Sequence, residues 1–174
     1  MFATQNPVEQ EGTYPLPEAQ LDRFLLKIVV GYPNAEEEDR ILQQVGSGVG
    51  SFRLEEAGLR AVASGEQLTE ARALAAQVRV DDAVRLYVRD LVRATRATSM
   101  ILLGAGPRAG IHLMVASRWV AALDGRMFVT PDDIQRVLHS VVCHRLVLAP
   151  EVELDGLSAV EVIDRIASTV PVPR

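Results

Sequence analysis

From Asn34 onward, apolar residues recur at intervals of three and four, which commits most of the chain to helices. Asn34 with Glu37 three residues on is a capping signal, and Glu36, Glu37 and Glu38 suit the positive end of the helix behind it. That helix is expected to run to about Val45 and stop at Gly46. Residues 46–51, GSGVGS, read as a flexible joint, residues 52–67 as a less regular stretch and residues 68–78 as a short helix. Asp81 is placed to cap the next helix, whose apolar stripe is Ala83, Val84, Tyr87, Val88, Leu91 and Val92. Pro107 can open another, with Ile111, Val115, Trp119 and Ala122 along one face. Thr130-Pro131-Asp132-Asp133 joins a hydroxyl cap, a proline and two acids ahead of the stripe Ile134, Val137, Leu138, Val141 and Val142. Ser158 and Glu161 form a capping box ahead of Val162, Ile163 and Ile166. The tail Val170-Pro171-Val172-Pro173 cannot continue that helix. The pattern predicts a bundle of four to six helices. Aromatics are only 5% of the chain, so its core must rest on Leu, Val, Ile and Ala.

Residues 1–33 read differently. Residues 25–30, LLKIVV, form an apolar run closed by Gly31 and Pro33, which suits a strand buried on both faces of a parallel sheet. Length alone would also allow a helix end. Ahead of it lies FATQNPVEQEGTYPLPEAQLDRF. An apolar lead ends in the polar turn Thr4-Gln5-Asn6-Pro7, and a loop with Glu9, Glu11, Gly12, Pro15 and Pro17 follows. A short helical signal over residues 18–24 then carries Arg23. This layout suits a nucleotide machine. A neutral polar side chain at a strand tip can orient water near a terminal phosphate, and an arginine can neutralise charge spreading over phosphoryl oxygens.

The same stretch closely resembles the second half of the ATPase core in the MoxR family of AAA+ ATPases. The resemblance makes Asn6, in ATQNP, the sensor 1 asparagine. It makes Arg23, in the LDRF turn, the arginine finger, acting on the nucleotide of the next subunit. A second match is Gly104-Ala105-Gly106-Pro107-Arg108-Ala109, which looks like the sensor 2 segment, with Arg108 as its arginine. The family usually reads S-P-R-A there, and Gly106 before Pro107 departs from it by weakening the helix cap. Arg108 stands in the first turn of its helix, where a cation is electrostatically misplaced unless an anion visits or a nearby acid pairs with it.

The phosphate-cradling Gly-Lys-Ser/Thr loop is absent, since the one lysine, Lys27, follows no glycine. No apolar run ends in Asp-Glu to hold magnesium. The resemblance therefore implies a mainly α chain: residues 1–33 a short remnant of the α/β core and residues 34–174 the helical AAA+ lid. Both missing motifs would lie upstream. The whole enzyme is expected to use ATP and Mg2+ in a ring, with a hexamer as the expected size. It would remodel or assemble protein clients, with von Willebrand factor A domain proteins among its partners. Neither ATP nor Mg2+ is expected to bind tightly to this chain alone, and residues 1–33 are expected to pack poorly or pair between chains.

Other readings are weaker. Arg85, Arg89 and Arg93 lie on one helix face and could grip nucleic acid, but such a stripe is more often solvated. The formal net charge of -5 also speaks against nucleic acid. His139, Cys143 and His144 are close in sequence, yet no further cysteine exists to complete a zinc site, and no metal site is expected. No G-x-S-x-G turn supports a hydrolytic serine. One cysteine allows no intrachain disulfide, and no apolar run is long enough to span a membrane, so the chain is read as cytoplasmic. The main alternative function is a non-catalytic helical adaptor or scaffold.

Overall fold

The computed structural model describes residues 2–5, 16–46 and 58–173. Helices dominate them: α1 (Glu18–Leu21), α2 (Ala35–Gly46), α3 (Gly65–Gln77), α4 (Asp82–Ala94), α5 (Pro107–Leu123), α6 (Pro131–Val142), α7 (Pro150–Leu154) and α8 (Ala159–Thr169). A 3-10 turn, Cys143–Arg145, follows α6 directly. Two short strands, β1 (Ile101–Leu103) and β2 (Val147–Leu148), pair antiparallel with Ile101 opposite Leu148.

Contacts divide the chain into two compact units. One joins residues 1–27 to residues 74–174, and the other comprises residues 28–73. In the smaller unit, α2 starts where its cap dictates: the Glu37 amide donates to Asn34 Oδ1 at 3.0 Å, and the Asn34 amide donates to Glu37 Oε2 at 2.9 Å. Ser64 and Gln67 exchange the same pair of bonds at the start of α3.

The larger unit is built on α5, which packs mainly against α6 and α4. The stripes of α4 and α6 meet there: Val84, Tyr87, Val88, Leu91 and Val92 from one, Ile134, Leu138, Val141 and Val142 from the other, all buried. Val162, Ile163 and Ile166 of α8 close the core. Each such side chain contributes roughly 1.5–3 kcal/mol by leaving water. The start of α6 is fixed by Asp133 Oδ2, which accepts from the Thr130 amide at 2.8 Å and the Thr130 hydroxyl at 3.0 Å. The start of α8 is fixed by Ser158 and Glu161 in the same way.

Four expectations are corrected. Residues 25–30 form no strand, and Ile28, Val29 and Val30 are exposed. A doubly buried strand needs a neighbour on each edge, and the described residues offer none. On α5 the residues Ile111, Val115, Trp119 and Ala122 do share a face, but Ile111 and Val115 are exposed. The buried face carries Leu113 together with Ala109, Ala116, Ser117 and Ala121, four small residues that let neighbouring helices approach closely. Ala83, counted in the α4 stripe, is exposed. Asp81 occupies the N-cap of α4 without capping it, because its carboxylate pairs with Arg79 at 3.0 Å. The 46–51 joint falls mostly outside the described residues, which include only Gly46, as the last residue of α2.

Candidate functional site at the Asp22 turn

The entry to α5 is set by close packing. Thr95, buried at the end of α4, donates through Oγ1 to the Val92 carbonyl at 2.7 Å and accepts from the Ala105 amide at 3.0 Å. Gly104 lies so tightly on this turn that a Cβ would sit 2.7 Å from the Thr95 carbonyl oxygen and 2.6 Å from Arg96 Cγ. The chain then passes through extended Gly106 to Pro107 at the first position of α5. Arg108 follows, on the exposed side of the first turn.

Arg108 does meet an acid. Its Nη1 donates to Asp22 Oδ2 at 2.5 Å, although the two residues are 86 positions apart. Asp22 ends α1 and offers its other oxygen, Oδ1, to Arg145 Nε at 3.2 Å. Asp22 therefore bridges two arginines of the helical unit. Its negative charge offsets the misplacement of Arg108 at a helix start.

Arg145 is the centre of the arrangement. Its side chain is 1% exposed, and a charge so buried costs several kcal/mol unless its donors are used. They are used. Nη2 donates to the Asp22 carbonyl at 3.2 Å, to the Phe24 carbonyl, and to His112 Nδ1 at 2.6 Å, while Nη1 donates to the Val141 carbonyl. Burial works against the Arg145 charge, and Asp22 supports it. Phe24 O also accepts from His144 Nε2 at 3.2 Å, and the Lys27 amide donates to the Ser140 carbonyl at 2.9 Å. Desolvation, then the charge of Arg145, holds both His112 and His144 below the usual histidine range.

Arg23 lies between the two pinned residues. It is exposed, and it makes no ion pair or side-chain hydrogen bond with a described residue. The pairing of Arg23 with Asp22 or Glu18 that would make it an ordinary surface residue is thus not formed; Asp22 is spoken for by Arg108 and Arg145. Asn6 lies outside the described residues, while Phe2 just ahead of it is fully exposed. Arg145 is the residue of this arrangement that sequence reasoning misses. It is one arginine among many, and its one signal, adjacency to His144 at a helix end, is weak.

The other candidates disperse. His139 Nε2 pairs with Asp164 at 2.8 Å, His144 turns to Phe24, and Cys143 is half-buried. Among the described residues no group of three or more His, Cys, Asp or Glu is arranged to hold a metal ion. Arg85 pairs with Asp82 and Arg89 with Asp90, so two arginines of the α4 stripe are already neutralised locally.

Two family models match the chain: an AAA lid domain over residues 93–166, and the ATPase family associated with various cellular activities (AAA) over residues 1–26. The chaperone MoxR1 of Mycobacterium tuberculosis is 39% identical over 183 residues, covering 100% of this chain and 47% of the relative. Protein MoxR of Paracoccus denitrificans is 33% identical over 201 residues, covering 99% of this chain and 56% of the relative.

The chain belongs to the MoxR-type AAA+ ATPases.

The uncharacterized protein YeaC of Bacillus subtilis is 41% identical over 173 residues, covering 99% of this chain and 52% of the relative. A crystal structure from Cytophaga hutchinsonii, described as a presumed ATPase, superposes with a TM-score of 0.84 at 34% identity, covering 98% of this chain and 53% of that one. The chain thus spans about half the length of the relatives it matches. In MoxR terms, Arg108 and Arg145 belong to the stretch matched by the lid, and Asp22 and Arg23 to the stretch matched by the ATPase core. The Asp22 bridge therefore joins the two matched regions.

Proposed function

We propose that this chain serves an ATP-hydrolysing, chaperone-like MoxR machine, with residues 1–33 as the end of its nucleotide-binding core and residues 34–174 as its lid. One observation carries this reading: Arg23 is exposed on a turn whose flanking residues are pinned, beside an arginine at the start of a helix. Arginine suits both posts because its planar fork matches phosphate oxygens and its charge is permanent. Arg23 acts as the finger on a neighbouring subunit's nucleotide, Arg108 as the sensor 2 contact, and Asn6 as sensor 1, orienting the attacking water. Asp22 stands in for phosphate at Arg108 in this structure, so one anion contact is ready for exchange. The described residues hold no cluster suited to magnesium, which a preceding core would hold, and ATP supplies the phosphoryl group.

The assembled enzyme works as a ring, a hexamer in this reading, on protein clients and with von Willebrand factor A domain partners, in the cytoplasm. No helix among the described residues is long and apolar enough to cross a membrane. The isolated chain does not turn over ATP in this reading, because its sequence holds no Gly-Lys-Ser/Thr loop to cradle the phosphates.

The test joins a phosphate-loop-bearing core ahead of residue 1 and measures ATP hydrolysis. The joined polypeptide is expected to be active, and Arg23→Ala to lower kcat by about a thousandfold or more. Hydrolysis by the isolated chain, or an unchanged rate in Arg23→Ala, would contradict the reading. The adaptor alternative predicts no hydrolysis in any arrangement.

A further inference from the structure

Three residues of the helical unit converge on one turn of the N-terminal segment. Arg145 reaches the Asp22 carboxylate, the Asp22 carbonyl and the Phe24 carbonyl, His144 reaches the same Phe24 carbonyl, and Arg108 takes the second Asp22 oxygen. Among the described residues only the side chain of Arg145 hydrogen-bonds both flanks of Arg23. With Asp22 and Phe24 held, the backbone of Arg23 has one orientation, and its side chain is left exposed to solvent.

We propose that Arg145 is a positioning residue: it latches the Asp22–Phe24 turn onto the lid, and so fixes both the presentation of Arg23 and the carboxylate that receives Arg108. The proposal deepens the functional reading and rests on it for its catalytic consequence. The two arginines share Asp22 unequally. Arg145 is buried and multiply bonded, whereas Arg108 is half-exposed and holds Asp22 by one bond. When Arg108 leaves Asp22 for a phosphate oxygen, Arg145 still holds the turn. The finger turn and the sensor 2 helix therefore keep their register while Arg108 changes partners. Lysine cannot replace Arg145, because a single ammonium cannot reach Asp22, Phe24, Val141 and His112 together.

The first arm uses the chain itself and asks nothing of ATP. Amide hydrogen exchange is followed at Phe24 and Lys27, whose N–H groups bond Leu21 and Ser140, and at core amides of α6 and α8. Arg145→Lys and Asp22→Asn are each expected to speed exchange at Phe24 and Lys27 about tenfold or more, with the α6 and α8 amides unchanged. Asp22 is partly exposed, so Asp22→Asn keeps the test valid if Arg145→Lys fails to fold. Unchanged exchange at both turn amides in the folded variants would overturn the latch. The second arm measures kcat and KM for ATP in the polypeptide with the core joined ahead of residue 1. Arg145→Lys or Asp22→Asn should lower kcat about tenfold with KM within roughly twofold, because the finger acts in the transition state. A released turn with unchanged kcat would overturn the positioning role. No hydrolysis in the unsubstituted polypeptide would overturn the functional reading, while the exchange data would still decide the latch.

Discussion

Arg145 closes on Asp22 from 123 positions away in the sequence, with its guanidinium buried and its Nε 3.2 Å from the carboxylate. This bond is one of several that join the stretch matched by the ATPase core to the stretch matched by the lid. The rest of the site follows from it. Asp22 is no longer available to Arg23, and its second oxygen satisfies Arg108 at the start of α5.

Gly104 is where the α5 entry is least tolerant of change. A methyl there meets the Thr95 backbone, which cannot swing aside as a side chain can. Gly104→Ala is expected to destabilise the chain by about 1–3 kcal/mol, read as a lower urea midpoint with an unchanged slope. Gly106→Ala, where a Cβ meets nothing within 4 Å, should cost less than that and serves as the control.

Asp133 is buried under Arg126, whose two terminal nitrogens donate to its oxygens at 2.6 and 2.8 Å. Burial pushes the Asp133 carboxyl up, but the bonds from Arg126 and Thr130 prevail and hold it below the usual aspartate range. Arg126→Met leaves that carboxylate buried without its cation and should lower the midpoint of chemical denaturation at pH 7. In the unsubstituted chain this contribution is present above the ordinary aspartate value and is lost as pH falls through the depressed one.

His112 and His144 are both held below the usual histidine range, by desolvation first and Arg145 second. Folding thus opposes their protonation, and the unfolded chain binds more protons than the folded one. Stability should be full above pH ~6.5 and decline as pH falls below it, until the depressed values are passed. His112→Gln should flatten part of that decline, as measured by thermal midpoints across the pH range.

Cys143 is half-buried, and burial, then the Asp164 charge, pushes its thiol up to about 11. Iodoacetamide at pH 8 should therefore modify the folded chain at least tenfold more slowly, in rough terms, than the same chain in denaturant, because only the thiolate reacts. Equal rates, followed by mass spectrometry, would contradict this placement.

Much of the helical unit is legible in the amino-acid sequence. The caps at Asn34, Thr130 and Ser158 are local, involving residues three apart, so they can be read from a few letters. The stripes of α4, α6 and α8 each have one polar side, so their period points to one face. On α5 the period fits two faces, and large Ile111 and Val115 outweigh the small residues that are in fact buried. β1 and β2 span three and two residues, too short to show alternation. Arg108 stands out in sequence because its misplaced charge calls for an anion or an acid, and Asp22 is that acid. Arg145 does not stand out, since its burial depends on Asp22 and Phe24, which only folding brings near. Sequence therefore flags the exposed arginines of the site and misses the buried one.

In the proposed machine, Arg23 acts across a subunit boundary from a turn held by the lid. The most direct measurement mixes two inactive versions of the polypeptide with the core joined ahead of residue 1. One carries Arg23→Ala, and the other lacks the phosphate-loop lysine of the added core. Each is inactive alone, and mixed rings should regain ATP hydrolysis, because an intact finger then faces an intact phosphate loop on its neighbour. Mixed assemblies that stay as inactive as either parent, with mixing verified by mass spectrometry, would contradict the claim.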